Sequence, residues 1–508
     1  MLQQLGVSDP MDEVLKLQSM YLYSKPLEER KALGQFFTGP VVANYMASML
    51  HKPKGAKVKT LDAGAGTGIL TAATAIRLLE LGCKTVHAVL YELDSSVIMH
   101  LNKTLKIIEG LYQSRKGVFT FEVRNSDFVL DRPDKKESFD VSVINPPYFK
   151  YNVKTSAYAK AVSDLYSDDP NIYASFMAIV ASSLDATGQM VAITPRSFTN
   201  GLYFKNFRSY LLNVTSIEKI HIFKHRDRVF KNDANKVLQE NVICKFVKAA
   251  TYADVEVRAS DCDSSLTGAT IQKYQAGLIV DRSSDQSLIR IPASLAEANI
   301  LRQVEQLEST FTDSGYYIST GPVVEHRARN FIVSTENKSN TVPLYRPHNV
   351  TPYAALWTGG NKKDVCFELK EQHEKHTLSN KNYVLLKRVS SKDEKRRLVS
   401  GVYLAKYFPD LELICFGNKI NYIGVRSGDF TKKEAYGLCA VFNASIFDRY
   451  FRCISGNTQV NATEIRVMRF PTREQVKSIG EKVLKFKKFD EKQNNVIVNR
   501  VLRIKESV

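Results

Sequence analysis

Between residues 55 and 250, short β-branched and aliphatic runs alternate with longer stretches in which apolar positions recur every three or four residues. The runs predict strands at about Lys57–Asp62, Thr85–Tyr91, Val118–Val123, Asp140–Ile144, Gln189–Thr194, Ile217–Phe223 and Asn241–Val247. The longer stretches predict helices over residues 68–81, 95–109, 171–184 and 203–212. Strands interleaved with helices in this way predict an α/β fold, a doubly wound, Rossmann-like domain on a seven-stranded sheet.

Past residue 250 the alternation fades. Strand-like runs at Tyr383–Lys387, Leu411–Cys415 and Ile420–Val425 are mixed with Gly and Ser turns and Lys/Arg clusters, without a repeated βα unit. The expected organisation is a nucleotide-binding domain over 1–250, with 1–30 as an N-terminal helical extension, then a mixed α+β domain over 251–470 and a helical segment over 471–508. In that last segment Val476, Ile479, Val483 and Phe486 share one predicted apolar face, with lysines opposite.

Charge narrows the partner. The 508 residues carry 71 Lys and Arg against 53 Asp and Glu, a net +18, and a polyanion is the first partner such a surplus suggests. The excess is shared, with 32 basic and 24 acidic residues up to position 250 and 39 and 29 after it, which favours two lobes facing one nucleic acid over a basic tail. The seven cysteines, odd in number and without a C-x-x-C pair, argue against a zinc ribbon or a disulfide framework, and no metal is expected. His373 and His376 are three apart but no Cys or carboxylate cluster joins them. No apolar run reaches 18 residues and the first residues lack the basic-then-apolar order of a signal peptide, so the expected location is cytoplasmic, with no membrane contact.

The clearest ligand signal is Thr60-Leu-Asp-Ala-Gly-Ala-Gly-Thr-Gly68, where a predicted strand ends and a helix begins. The spacing is G-x-G-x-G with an acid ahead of it. Asp62 would repel a pyrophosphate but can accept hydrogen bonds from an ammonium, as on the methionine part of S-adenosylmethionine. The second strand ends at Tyr91-Glu92, and Glu92 can accept from ribose hydroxyls. Asp127, after the third strand, can accept from an adenine amine, with Phe128 as an apolar wall. Asp62, Ala63, Gly64, Gly66, Glu92, Asp127 and Phe128 are therefore candidate cofactor residues.

The fourth strand runs into Asn145-Pro-Pro-Tyr148. Two prolines end a strand ladder and fix an extended turn at the edge where such sheets bind ligands. The Asn145 side-chain oxygen and the Pro146 carbonyl can then accept both hydrogens of an exocyclic amine. Held out of the ring plane, that nitrogen shifts toward sp³ and becomes nucleophilic, while Tyr148 can stack on the base. Asn145, Pro146, Pro147 and Tyr148 are the candidate catalytic residues. Methyl transfer from a sulfonium is a direct displacement that needs alignment rather than a covalent nucleophile. Consistently, none of the cysteines follows a proline, the pairing used by carbon-5 cytosine methyltransferases.

With these motifs the chain resembles the gamma-class N6-adenine DNA methyltransferases of type II restriction-modification systems, the group of the PstI and BsuBI modification enzymes. The resemblance rests on Leu33-Gly-Gln-Phe-Phe-Thr38, the glycine loop, Asn145–Tyr148, Thr194-Pro-Arg-Ser-Phe198, Arg228-Val-Phe230 and Val237-Leu-Gln-Glu240. It continues through residues 383–392 and Ser455-Gly-Asn-Thr-Gln-Val-Asn461, and so spans nearly the whole chain. It implies a C-terminal target recognition domain, and contact of Phe37, Thr38 and Asn145 with the cofactor. It also implies that Phe230 stacks on the flipped adenine opposite Tyr148. Gly39 departs from the family's Thr-Pro and should bend that loop slightly.

The expected function is thus site-specific methylation of adenine N6 in double-stranded DNA, with S-adenosyl-L-homocysteine as the co-product and a separately encoded restriction endonuclease as cognate. A monomer is expected, with a homodimer as the alternative. Base extrusion into the pocket would cost a few kcal/mol. Lys387, Arg388, Lys392, Arg396 and Arg397 form the densest basic patch and would grip phosphates, while Gln459 and Asn461 suit adenine edges. The even charge split places the duplex between both lobes. Three other readings stay open: an RNA adenine methyltransferase, a non-catalytic DNA-binding subunit, and a protein-glutamine methyltransferase, the last disfavoured by the long basic C-terminal half.

Overall fold

The computed structural model describes residues 9–505 apart from 33, 36, 168–170, 224–239, 250, 263–265, 267, 283–285, 336–339, 391–393, 457–458 and 487–489. The chain divides into two compact units, Met1–Ala293 and Ser294–Val508.

The first unit is built on a sheet whose strands are β1 (Lys57–Ala63), β2 (Thr85–Tyr91), β3 (Val118–Arg124), β4 (Phe139–Ile144), β5 (Leu184–Pro195), β6 (Thr215–Phe223), β7 (Asn241–Lys248), β8 (Asp254–Ser260) and β9 (Thr270–Gln275). All seven predicted strands are present. The sheet has nine strands rather than seven, in the order β3-β2-β1-β4-β5-β7-β6-β8-β9. The two additions follow from pairing that no βα repeat announces: β8 runs parallel to β6, and β9 closes the edge antiparallel to β8. The expected domain boundary at 250 therefore falls inside this sheet and moves to 293.

Helices cover both faces. On one side a continuous core joins Val58, Val86 and Val143 of the strands to Met46, Leu70, Ala72, Leu101, Leu105 and Ile108, with Met11 and Val14 of the N-terminal helix α1 (Pro10–Ser24). The helix Ile172–Ser183 is buried on almost every side and packs on β1 and β5, which accounts for its nearly unbroken apolar composition. β1 pairs in parallel with β2 on one side and β4 on the other, so the strand order reverses there, and the turns after β1 and β4 open at the same edge. That is the switch point at which such sheets bind ligands.

The second unit contains a six-stranded sheet with Tyr383–Lys387 and Ser400–Tyr403 at its centre and Ile420–Val425 beside them, a five-stranded sheet through Thr341–Tyr345, and five helices among the described residues from Lys432 onward. The helical segment expected after residue 470 belongs to this unit and is packed in it: the helix Arg473–Val483 lies against Lys432–Phe442. Their contact is made at Gly437 and Gly480, where an added Cβ would sit 1.9 Å from the carbonyl oxygens of Val476 and Lys433 respectively. Val476, Ile479 and Val483 are buried as the spacing predicted, whereas Phe486 lies beyond the helix end and is 43% exposed. Among the described residues no helix is long and apolar enough to cross a membrane.

Candidate active site

The turn after β1 places Gly64, Gly66 and Gly68 at φ values of 80°, 54° and 86°. Two of these positions demand glycine on more than backbone grounds: a Cβ on Gly66 would lie 3.1 Å from the Phe37 ring, and one on Gly68 would lie 2.8 Å from Leu101 Cδ1. The Gly64 and Ala65 amides donate to the Tyr91 carbonyl at 2.9 Å each, tying the loop to the end of β2. Glu92 follows at once, and its carboxylate accepts from the Gly66 amide at 2.7 Å and the Asp94 amide at 2.8 Å. Burial raises its pKa.

A cavity opens over these turns, lined by Thr38, Gly64, Gly66, Glu92, Asp127, Phe128, Asn145 and Pro147 among others. Of the predicted cofactor residues, Phe37 also lines it, whereas Asp62 and Ala63 do not. Asp62 is buried behind the loop, where one carboxylate oxygen accepts from Thr71 Oγ1 at 2.5 Å and Oδ1 has no protein partner. Burial pushes its pKa up to about 7, reinforced by Glu92 and opposed by the Thr71 hydrogen bond. Unfolded, the same group titrates near 3.8, so between these values the folded chain holds a proton that the unfolded chain has lost. Stability of the free protein should therefore fall as pH rises through that window. In Asp62→Asn the carboxamide still accepts from Thr71, and its melting temperature should fall less steeply from pH 5 to pH 8 than that of wild type. A wild-type decline that persists undiminished in the variant would exclude Asp62 as the cause.

Asp127 is held by the Val129 amide at 2.9 Å and the Leu130 amide at 3.2 Å on one oxygen, and on the other by the Tyr158 hydroxyl at 2.8 Å. Phe128 is buried between Tyr91 and Phe176, each with its ring centroid 5.0 Å away. The Asn145 carboxamide donates from Nδ2 to Thr38 Oγ1 at 3.0 Å, and its Oδ1 accepts from the Tyr148 hydroxyl at 2.8 Å. That pair of contacts assigns the orientation of the amide. Tyr148 donates also toward the Ile193 carbonyl at 3.1 Å, and its ring meets Tyr173 edge-on at 6.2 Å, so in this conformation it does not line the cavity. Burial raises its phenol pKa strongly. Pro146 is buried, and Pro147 faces the cavity. Gly39 caps the helix Pro40–Ser48 with an ordinary φ of −75°, so the departure there is accommodated without strain.

Several contributors have no sequence signal. Gln18 of α1 donates to the Thr38 carbonyl at 3.0 Å and accepts from Thr67 at 3.0 Å, while Tyr21, Lys25 and Gln35 converge on Asp94. The N-terminal helix thus seats two walls of the cavity. Leu93 and Ser126, each beside a predicted acid at a strand end, could have been found from that adjacency. Tyr158 and Phe176 reach the cavity only through tertiary packing.

In the second unit the predicted contact segments do come together. Val389 bridges to Gln459, the Val460 amide donates to the Arg388 carbonyl at 2.7 Å, and the Arg388 side chain donates to the Asn418 carbonyl at 3.0 Å. Lys387 ends its strand half-buried beside them. The basic patch itself is smaller than its sequence suggests. Arg397 is 1% exposed, packs on Phe451 at 4.9 Å and donates to the Ser455 carbonyl, while Arg396 is paired with Glu491 and the Asn443 carbonyl. Both expected phosphate contacts are consumed inside the fold. Asn461 is the N-cap of the helix Ala462–Val467, in a capping box with Glu464, so its side chain is engaged as well. Phe230 and Lys392 lie outside the described residues.

Residues 73–230 match the Eco57I restriction-modification methylase family. Along nearly its whole length the chain is similar to the type II methyltransferase M.BsuBI of Bacillus subtilis, with 32% identity over 466 residues, 90% of this chain and 91% of that protein. It is equally similar to M.PstI of Providencia stuartii, at 32% identity over 486 residues and 94% of each chain. Among solved structures, the type IIL restriction-modification enzyme MmeI, determined in complex with DNA, shares the fold with a TM-score of 0.59 at 12% identity, over 97% of this chain and 75% of that one.

Proposed function

This chain belongs to the type II DNA methyltransferases of restriction-modification systems, the family of M.BsuBI and M.PstI, and we propose that it methylates N6 of an adenine flipped out of double-stranded DNA. The observation that carries the adenine assignment is the fixed Asn145 carboxamide in the N-P-P-Y turn, its oxygen directed away from Thr38. That oxygen accepts from Tyr148 and is proposed to accept an amine hydrogen of the base as well, with the Pro146 carbonyl as the second acceptor. Tyr148 supplies a ring face for the base, and Phe230 is proposed as the opposite face.

The site suits S-adenosylmethionine, which when bound supplies an electrophilic methyl group on a sulfonium. Glu92 would accept the ribose hydroxyls and Asp127 the adenine amine, between the apolar walls of Phe128 and Phe176. Gly66 leaves room for close approach, and Phe37 and Thr38 would meet the methionine end. Asp62, behind the glycine loop, would act on the ligand's ammonium through charge rather than contact, and a nearby cation would draw its proton off near neutral pH. The chain's own task is to hold nitrogen, carbon and sulfur in line and to exclude water. Tyr158→Phe removes one donor from Asp127, a loss of about 1 kcal/mol. Titration calorimetry should show cofactor affinity falling about five- to tenfold, with KM for cofactor changing more than kcat. Wild-type affinity would remove Tyr158 from the cofactor's surroundings.

The second unit is proposed to read the target sequence, with Lys387, Arg388 and Gln459 as its nearest candidates. The biological role follows as protection of host DNA from a cognate endonuclease, carried out in the cytoplasm by a monomer. Offering unmethylated duplex DNA and structured RNA side by side with labelled cofactor tests this. Label in DNA alone supports it, and label in RNA alone overturns it.

A further inference from the structure

Past the end of β5, the chain turns at Gly201, where φ is 71°, into the short turn Leu202–Phe204 and then the helix Lys205–Val214. This turn stands on a rigid base. Arg208, fully buried, donates to the carbonyls of Phe198, Asn200 and Gly201 at 2.9–3.0 Å and to that of Gln286 at 2.7 Å. Phe204 points inward, yet its neighbours do not: Leu202 is 50% exposed and Tyr203 36%. Phe149, directly after Tyr148, is 37% exposed, and Lys150 sets its ammonium 4.8 Å from the centre of the Tyr203 ring.

A single exposed leucine needs no explanation. Here a tyrosine ring, a leucine and a lysine lie exposed together, and they are connected to the catalytic turn by contact as well as by sequence. Tyr148 meets Tyr173 at 6.2 Å, Tyr173 meets Phe204 at 5.4 Å, and Phe204 meets Tyr203 at 4.6 Å. The Phe149 carbonyl accepts from the Ile172 amide at 3.1 Å, which fixes the chain between Tyr148 and Lys150.

Flat and apolar faces beside a cation, on a pre-ordered support, are what a nucleic acid with exposed base faces requires. Stacking on an aromatic side chain contributes about 1–3 kcal/mol per base, and apolar side chains entering a base step are the common means of holding a distorted duplex open. The net charge of +18 gives the polyanion complement.

We propose that the Leu202–Tyr203 turn, with Lys150, is a DNA-contact knob that packs against the nucleotides flanking the extruded base, Lys150 meeting a backbone phosphate. The proposal rests on the base-flipping function given above. It assigns to the catalytic unit a direct hold on the duplex at the point where the helix opens.

The test uses the full-length protein and a duplex carrying its methylated sequence, mapped first on plasmid DNA. The double variant Leu202→Ser/Tyr203→Ala should retain cofactor affinity and melting temperature but lose tenfold or more in kcat/KM for the paired duplex. The loss should shrink to about threefold or less when the target adenine is mispaired, because extrusion is then already favoured. Lys150→Ala, a surface change that leaves folding untouched, should lower the slope of log affinity against log salt by about one. Wild-type kcat/KM in the double variant together with an unchanged salt slope in Lys150→Ala overturns the knob alone. A wild-type protein that transfers no methyl group to any DNA overturns the function and the knob together.

Discussion

Asn145→Ala should lose methyl transfer by about 10²–10³-fold or more while still binding DNA, since a preorganised polar group aimed at a reacting centre contributes on that scale. The reason lies in what the carboxamide does in the turn. Its Nδ2 is committed to Thr38 at 3.0 Å, so its oxygen has one orientation and the attacking nitrogen one position to occupy. Removing it leaves the amine conjugated with the purine ring and unaligned. The loss should fall on kcat, with KM for cofactor rising only severalfold, because Glu92 and Asp127 remain. Thr38→Val provides the control on orientation: the acceptor oxygen is retained but loses the hold of Thr38 on the amide, and an intermediate loss, partly restored by Thr38→Ser, is expected. Steady-state kinetics with labelled cofactor measures all three variants. Transfer by Asn145→Ala within fivefold of wild type would mean that the amine is activated elsewhere.

The second large effect is on the other unit. Gly480→Ala would gain about 1 kcal/mol if helix propensity decided the outcome. Packing opposes it. The new Cβ would lie 1.9 Å from the Lys433 carbonyl oxygen and 3.0 Å from the Gly437 amide nitrogen, both backbone atoms that cannot rotate aside. The helices Lys432–Phe442 and Arg473–Val483 must then separate, exposing Val476 and Ile479, at a cost of about 3 kcal/mol. The net change should be destabilising, with a melting temperature lower by several degrees in differential scanning calorimetry, and Gly480→Leu should be worse. Cofactor affinity should be unchanged, as every residue lining the proposed cofactor cavity lies in the first unit. A Gly480→Ala protein as stable as wild type would show that the helices do not meet at their backbones.

The sequence made the first unit legible because most of its strands are apolar β-branched runs and each of β1 to β4 ends in a marked turn. Asp62, Glu92 and Asp127 could be read one strand at a time for that reason. The strands β8 and β9 left weaker signals: β8 alternates buried with partly exposed positions, β9 is mostly exposed at the edge, and no helix separates them. Side-chain partners were the harder part. Charge alone does not tell whether an arginine faces solvent, and Arg396 and Arg397 are consumed by Glu491 and by the Ser455 carbonyl, partners far along the chain. Asn461 reads as a base-edge contact by residue type, yet the glutamate three positions on makes it a helix cap. In the same way Asp62 has the chemistry predicted for it but sits behind the cavity wall, since the glycine turn folds over it. The link between Thr38 and Asn145 crosses more than a hundred residues and leaves no local pattern.

The most direct measurement is the identity of the methylated base. Unmethylated duplex DNA, treated with the protein and isotopically labelled S-adenosylmethionine, digested to nucleosides and analysed by mass spectrometry, should carry the label in N6-methyldeoxyadenosine, and the Asn145→Ala digest should carry almost none. Label in a methylated deoxycytidine, or equal label from both proteins, would contradict the assignment of the N-P-P-Y turn to adenine N6.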